Sequence, residues 1–311
     1  MTSAVVFAYH DVGCRCLAAV LDQGIAVPLV VTHRDDPQET LWFASVAALA
    51  RKRGIETIMP EDPNRPEVVG RIRSLRPDFL FSFYYRLMLE PELLSAPALG
   101  AYNVHGSLLP KYRGRVPVNW AILRGETETG ATLHEMVAKP DAGRIVDQEA
   151  VTILPDDLAV DVFRKVAGAA EKVVRRSVPK LMAGSAVLRP QDLSRGSYFG
   201  GRRPEDGRID WLAPAKRVHD LVRAVAPPYP GAFTEVEGRR LRVLRTRRCP
   251  EKSGAPSAAR LYAEGGRAYA ACVDGEALEL LEVELDGRPL SAREFAERIG
   301  VRQIPLHQGA N

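Results

Sequence analysis

Short apolar runs alternate with helical stretches through the first 150 residues, and this alternation constrains the fold more than any other feature. Runs rich in β-branched and aromatic residues predict strands at 4–9, 27–32, 55–58, 79–83 and 100–105. Helical patterns separate them, at 13–21, 40–53 and 67–75. Strands joined through helices form right-handed βαβ crossovers. The sequence therefore predicts an α/β domain with a Rossmann-like, doubly wound, mostly parallel sheet.

The pattern changes in the second half of the chain. A long helix is predicted over 158–178, capped by Asp156 and Asp157 and ended or kinked by Pro179. Residues 184–207 are rich in Pro, Gly, Ser and Arg, which is typical of a linker or a functional loop. A helix at 213–226 and short β-like runs at 232–236, 241–244, 268–273 and 278–285 follow. We expect a Rossmann-like domain at 1–183, a linker at 184–207, and a small β-rich, OB-like barrel domain at 208–311.

Composition excludes several classes of protein. An apolar fraction of 46% and a charged fraction of 26% over 311 residues are those of an ordinary globular protein, not of a disordered or collagenous chain. No apolar run approaches the ~20 residues that a membrane span needs, and the N-terminus lacks the basic region of a signal peptide. We expect a cytoplasmic protein. Cys14, Cys16, Cys249 and Cys272 form no CxxC pair, so reduced thiols and no metal site are predicted.

Charge is uneven along the chain. The stretch 202–248 holds 12 basic and 6 acidic residues, a local charge of +6 against +4 for the whole chain. Two interpretations stay open at this point: a surface that faces a polyanion, and a solvated surface of an arginine-rich protein.

The predicted fifth strand ends in the residues that suggest chemistry. Ligands of open α/β sheets bind at the carboxyl ends of the strands. Asn103 and His105 are two residues apart there, so an extended strand places both side chains on one face. An amide donor beside an imidazole can polarise a carbonyl and move a proton. The first βα turn lacks GxGxxG, no GxSxG surrounds Ser107, and no HExxH occurs, so a dinucleotide cofactor, a hydrolase elbow and a zinc site are not indicated.

Longer motifs give this segment a family resemblance. The runs NVHGSLLPKYRG, PVNWAILRGETETGATLHEM and KPDAG follow one another within residues 103–143. In order and spacing they resemble the 10-formyltetrahydrofolate-dependent formyltransferases. The resemblance implies that Asn103, His105 and Asp141 are the catalytic residues and that 10-formyltetrahydrofolate is the formyl donor, with no metal.

The implied reaction is consistent with these residue types. Formyl transfer to an amine passes through a tetrahedral species that carries an oxyanion, and the amine must lose a proton. The Asn103 amide can donate to the oxyanion, His105 can exchange protons near neutral pH, and Asp141 can hold a ring nitrogen of the imidazole. Whether His105 takes a proton from the amine, gives one to the departing folate nitrogen, or does both stays open.

Further segments bear on the formyl acceptor. The runs VVFAYHDVGC, THRDDPQET, FSFYYRLML and VRAVAPPYPGAF resemble the UDP-4-amino-4-deoxy-L-arabinose formyltransferases of lipid A modification and polymyxin resistance. This implies a UDP-amino-sugar acceptor. The alternatives are another nucleotide-linked amino sugar, then methionyl-tRNA, and, outside enzymes, an inactive sugar-nucleotide-binding module. The acidic loop at 33–39 would repel phosphates, so no nucleic-acid partner is expected.

The same resemblance implies binding residues. Folate contacts are expected at Arg86, Leu87, Met88, Arg115, Val137, Ala138, Lys139 and Pro140. Arg202, Arg203 and Arg223 are candidates for the UDP diphosphate, because guanidinium groups pair well with phosphates. The fused enteric form of the family carries a second, dehydrogenase domain that this sequence lacks, so a separate UDP-sugar dehydrogenase is expected in the pathway.

Overall fold

The computed structural model describes residues 1–36, 41–252, 254 and 257–306. The chain divides into two compact units, each assembled from separate stretches. The N-terminal unit contains Met1–Pro117, Glu128–Thr152 and Phe163–Gly200, and the C-terminal unit contains Val118–Thr127, Ile153–Val162 and Gly201–Asn311. Most of the segment expected to be a linker is therefore part of the N-terminal unit.

A seven-stranded mixed sheet forms the centre of the N-terminal unit. Its strands are β1 (Ser3–Ala8), β2 (Ala26–Val31), β3 (Glu56–Ile58), β4 (Phe79–Phe83), β5 (Gly100–His105), β7 (Glu128–Glu135) and β8 (Ile145–Thr152). The order is β3-β2-β1-β4-β5-β7-β8. The first five strands pair in parallel, and β7 pairs antiparallel with both β5 and β8. The predicted Rossmann-like α/β sheet is confirmed. A separate parallel pair joins β6 (Arg113–Gly114) to β9 (Tyr198–Phe199).

Helices connect these strands. They are α1 (His10–Leu21), α2 (Val46–Lys52), α3 (Pro66–Ser74), α4 (Pro91–Leu94), α5 (Pro117–Leu123) and α6 (Ala159–Met182). Helix α2 begins later than predicted, where the Ser45 hydroxyl accepts a hydrogen bond from the Ala48 N–H and caps the helix. The predicted start at 40 lies outside the described residues. Of the two alternatives predicted for Pro179, an end of the helix is wrong: α6 continues to Met182, and the Pro179 carbonyl accepts a hydrogen bond from the Ala183 N–H.

The C-terminal unit contains an antiparallel sheet, as the run of short strands predicted. The elements are α7 (Ala215–Val225), β10 (Ala232–Val236), β11 (Arg239–Cys249), β12 (Arg260–Glu264), β13 (Arg267–Ala271), β14 (Ala277–Leu285), β15 (Arg288–Ser291), α8 (Ala292–Ile299) and β16 (Ile304–Pro305). The order is β10-β11-β14-β13-β12-β16, and β15 pairs with β14.

Four arginines of β11 face glutamates that lie in β14 or immediately before it. Cross-strand ion pairs join Arg242 to Glu284, Arg245 to Glu282, Arg247 to Glu279 and Arg248 to Glu276. These partners lie outside the stretch 202–248, so the +6 counted there is largely balanced in the folded unit. The paired charges favour a solvated surface over a polyanion-binding one.

The cysteine thiols and the apolar helices were considered above for disulfides, metal sites and membrane spans. The four thiols are free, and burial raises the pKa of Cys16, the Cys on the inner face of α1. Among the described residues, no helix is long and apolar enough to cross a bilayer, and no cluster of His, Cys, Asp and Glu has the makings of a metal site.

Candidate active site

His105, the last residue of β5, is buried and held by a backbone carbonyl. Its Nε2 lies 2.7 Å from the carbonyl oxygen of Tyr112. A carbonyl can only accept, so Nε2 carries a hydrogen and donates it. The other ring nitrogen, Nδ1, lies 3.6 Å from Oδ1 of Asp141. Nδ1 is therefore the ring nitrogen that has no backbone partner and faces the Asp141 carboxylate.

Asp141 lies in the turn between β7 and β8, with a left-handed φ of 51°. Its Oδ2 accepts a 2.8 Å hydrogen bond from the Gly114 N–H, and its Oδ1 lies 3.5 Å from Nε2 of His134. Burial by itself raises the pKa of Asp141, but the facing His105 ring and the hydrogen bond from the Gly114 N–H act in the opposite direction, and the pKa lies well below its usual range. Asp141 is therefore an ionised carboxylate beside the His105 ring.

Asn103 is oriented by a residue that sequence reasoning missed. Strand β7 pairs antiparallel with β5 so that His134 stands opposite Asn103. His134 Nδ1 donates to the Glu135 carbonyl at 2.8 Å, which leaves Nε2 to accept a 3.0 Å hydrogen bond from Nδ2 of Asn103. One N–H of the Asn103 amide is thus committed to His134, and this bond sets the direction of the other.

The segment around β9 holds the loop that supports His105. The Ser197 carbonyl accepts from the Arg113 N–H at 2.9 Å, and the Ser197 hydroxyl accepts from the Tyr112 N–H at 2.8 Å. The rings of Tyr112 and Phe199 stack with centroids 5.5 Å apart. The Tyr112 carbonyl is therefore fixed in the position that receives the His105 hydrogen bond.

The same segment also holds the turn that carries Asp141. The Gln191 side-chain amide donates to the carbonyls of Asp141 and Gly143, at 2.9 and 2.6 Å. A Cβ on Gly143 would lie 1.9 Å from the Glu135 carbonyl oxygen, so this turn admits only glycine there. Residues 191–199, within the predicted linker or functional loop, are a structural part of the site.

Gly114→Ala is expected to lower kcat at least about tenfold. Gly114 has a φ of +96°, and its added Cβ would lie 2.2 Å from the Phe199 carbonyl oxygen, so β6 must separate from β9 and move the N–H that holds Asp141. Gly54→Ala is the matched control, because Gly54 also has positive φ but open space around it. Steady-state rates and melting temperatures of both variants check the prediction. Equal rates for the two would contradict the role of the Gly114 N–H.

The residues implied for folate binding lie in the N-terminal unit, on two loops and, for Arg115, directly after β6. Arg86, Leu87 and Met88 follow β4; the Arg86 N–H donates to Nε2 of His33, and its guanidinium lies over the Tyr9 ring at 4.7 Å. Leu87 and Met88 are 40% and 55% exposed, and Val137 in the second loop is 38% exposed. Of the remaining implied residues, Ala138 and Lys139 are exposed and Pro140 is half-buried. Arg115 is exposed, and its N–H donates a hydrogen bond to the Phe199 carbonyl.

The three candidate diphosphate ligands all belong to the C-terminal unit. Arg223 is buried, and its Nε and Nη2 donate to Oδ1 of Asp220 at 2.9 and 2.8 Å. Its environment favours a structural role over phosphate contact. The Arg202 guanidinium lies over the Trp120 ring at 5.0 Å and donates to the Asp206 carbonyl, whereas Arg203 is exposed.

An aromatic cluster surrounds His10, the first residue of α1. The His10 ring stacks on Phe43 at 3.9 Å and meets Trp42 and Phe163 edge-on, both at 4.6 Å. Its Nδ1 accepts from the Asp11 N–H at 2.9 Å, as a neutral ring can. Burial, together with the charge of Arg86, lowers the pKa of His10 to about 3. The folded protein therefore keeps this imidazole neutral.

Acid should destabilise the protein through His10, and His10→Phe should remove that sensitivity. An unfolded histidine binds a proton below a pKa of ~6.5, but the folded one does so only near pH 3. The free energy of unfolding therefore decreases as the pH is lowered through this range, by about 2 kcal/mol from pH 7.5 to 5. Chemical denaturation at both pH values measures the free energy of unfolding of the wild type and of His10→Phe. The change in that free energy between the two pH values is compared, so that a loss of stability equal at both pH values cancels. Identical changes in the two proteins would contradict the prediction.

Taken together, these groups define a class of enzyme. A fixed amide donor, an imidazole with one free nitrogen and an ionised carboxylate stand at the end of a parallel strand, an arrangement that suits group transfer at a carbonyl carbon. The chain belongs to the formyl transferase family: the Formyl transferase family model matches residues 8–178, and the model of the Formyl transferase C-terminal domain matches 202–300. The protein is a formyltransferase.

Solved structures share the fold at low sequence identity. An N-formyltransferase from Helicobacter canadensis, solved with folinic acid and dTDP-3-aminofucose, has a TM-score of 0.74 and 18% identity, with 90% of this chain and 99% of that chain covered. WlaRD, a sugar 3N-formyl transferase solved with dTDP and 5-N-formyl-THF, has a TM-score of 0.68 and 18% identity over 90% and 97%. Glycinamide ribonucleotide transformylase 1 from Symbiobacterium toebii has a TM-score of 0.53 and 24% identity over 62% and 95%.

Proposed function

We propose that this formyltransferase moves a formyl group from 10-formyltetrahydrofolate to the amino group of a nucleotide-linked sugar. One observation carries the proposal: His105 Nδ1 faces the Asp141 carboxylate at 3.6 Å, beside an Asn103 amide oriented by His134. The structural neighbours add support, because two of them are sugar N-formyltransferases solved with formylated folates and dTDP or a dTDP-sugar.

The two loops of the N-terminal unit fit a folate. Leu87, Met88 and Val137 expose apolar side chains that suit a flat heteroaromatic ring, and Arg86 and Arg115 supply positive charge for the carboxylates of a glutamate tail. Bound there, 10-formyltetrahydrofolate would supply the formyl group. We propose these residues, with Ala138, Lys139 and Pro140, as the folate-binding set.

Each member of the catalytic trio then has a separate task. Asn103 donates its second amide N–H to the oxygen that becomes negatively charged when the amine attacks the formyl carbon. His105 holds or moves a proton at Nδ1, since Nε2 is occupied by the Tyr112 carbonyl. Asp141 stabilises the charge that His105 acquires.

For the acceptor we propose UDP-4-amino-4-deoxy-L-arabinose, in lipid A modification in the cytoplasm, with a separate dehydrogenase supplying the pathway. The full-length sequence resemblance supports this choice. The acidic Asp35 and Asp36 after β2 and the paired arginines of β11 disfavour methionyl-tRNA. A dTDP-3-amino sugar is the second candidate, because the Helicobacter canadensis neighbour was solved with one.

The decisive experiment is an acceptor panel. The purified protein is incubated with 10-formyltetrahydrofolate and, separately, UDP-4-amino-4-deoxy-L-arabinose, dTDP-3- and dTDP-4-amino sugars, and charged initiator tRNA. Mass spectrometry detects the added formyl group. We expect the UDP-arabinose amine to be formylated with the highest kcat/KM. Formylation of a dTDP-sugar alone would overturn the acceptor, and formylation of tRNA alone would overturn the class of acceptor.

A further inference from the structure

Arg113 is a buried cation, and no carboxylate of the described residues neutralises its guanidinium. The residue is only 8% exposed, and its Nε is buried without a hydrogen-bond partner. Within the described part of the chain, no carboxylate lies within ion-pair distance of the Arg113 side chain. Buried charges in proteins are nearly always paired, so an unpaired one requires an explanation.

Arg223 shows how this protein treats a buried arginine that has a structural role. It is 5% exposed, and two of its nitrogens share Oδ1 of Asp220 at 2.9 and 2.8 Å. Arg113 and Arg223 are thus buried to similar extents, but only Arg223 is neutralised by its own fold. The contrast points to a partner for Arg113 from outside the described part of the chain.

The backbone on both sides of Arg113 holds catalytic groups. The preceding carbonyl, of Tyr112, accepts the hydrogen bond of His105, and the following N–H, of Gly114, donates to Asp141. The Arg113 N–H itself bonds to the Ser197 carbonyl, which fixes the root of the side chain. Asp141 does not serve as the counter-ion, because its oxygens face Gly114 and the two imidazoles.

We propose that Arg113 is an oxyanion-binding residue of the active site that completes its ion pair only when a substrate binds. The inference rests on the proposed function, whose two substrates both carry such groups: the diphosphate of the nucleotide sugar and the carboxylates of the folate tail. A guanidinium matches either one with two parallel N–H donors. A charge kept unpaired in the free enzyme gives its full attraction to the arriving anion.

The test compares Arg113→Met with Arg223→Met. Removing an unpaired buried charge should leave the melting temperature of the free protein unchanged or higher. Arg223→Met should lower it, because the buried Asp220 then keeps only Lys216 as a partner. Calorimetric titration with UDP, inorganic pyrophosphate and folinic acid then measures Kd. We expect Arg113→Met to weaken at least one probe tenfold or more, as a lost charged hydrogen bond does. Arg113→Lys should restore part of that affinity, because it keeps the charge but not the fork.

The outcomes show which substrate supplies the anion that binds Arg113, and which results would overturn the proposal. Weaker UDP and pyrophosphate with unchanged folinic acid assigns Arg113 to the diphosphate; weaker folinic acid alone assigns it to the folate carboxylate. Unchanged Kd for all three probes overturns the proposal, and so does an Arg113→Met protein that melts as low as Arg223→Met or fails to fold. No turnover is measured, so these results stay distinct from a negative acceptor panel.

Discussion

Replacing His105 by alanine should lower kcat by two to four orders of magnitude, the usual contribution of a positioned proton-transfer group. The ring presents Nδ1 to Asp141, while its other nitrogen is bonded to the Tyr112 carbonyl. Alanine removes the exchangeable proton and leaves Asp141 without the imidazole that it stabilises. KM should change little, because the loss falls on the transition state.

His105→Gln separates proton transfer from support of the loop. A glutamine amide can still donate to the Tyr112 carbonyl, but it cannot take a proton near neutral pH. We expect Gln and Ala to lose activity equally. The surface change Arg247→Ala, which breaks only a cross-strand ion pair with Glu279, should leave the rate nearly unaltered. A His105→Gln enzyme as active as wild type would show that the imidazole only positions the loop.

The parallel strands were predictable because they are buried on both faces of the sheet. Strands covered by helices on both faces read as continuous apolar runs, and AVVFA in β1 and FLFSF in β4 are runs of this kind. The spacing at the carboxyl end of β5 then made Asn103 and His105 candidates, and the family resemblance gave them their roles. The role of Asp141 followed from the family resemblance.

Strands β7 and β8 could not be read in the same way. β8, with the sequence IVDQEAVT, mixes acidic and apolar residues because most of its side chains are only half-buried. With β7 unassigned, His134 had no predicted position opposite Asn103. The signal was nonetheless in the quoted run ATLHEM, where Thr132 and His134 alternate with apolar residues as the side chains of a strand do.

Support from distant residues leaves no local pattern in a sequence. Ser197 holds Tyr112 across 85 residues, and Gln191 holds Asp141 across 50. A segment rich in Pro, Gly and Ser is typical both of a flexible linker and of a loop fixed by its hydrogen bonds to other parts of the fold. The two differ in the hydrogen bonds that the segment forms with distant residues, here those of Ser197 and Gln191.

Asn103→Ala should lower kcat by about 10²–10³, the loss seen when a side-chain donor to an oxyanion is removed. His134 acts on the reaction only through this amide, because its Nε2 accepts the Asn103 N–H and its Nδ1 is held by the Glu135 carbonyl. His134→Ala should therefore cost less, about tenfold, since the donor remains but is no longer oriented. Single-turnover rates of both single variants and the double variant test the expected order of these two losses.

If His134 is a positioning residue, the double variant is no slower than Asn103→Ala, because there is no amide left to orient. Multiplied losses in the double variant would instead show that His134 has a task of its own, at the Asp141 carboxylate 3.5 Å away.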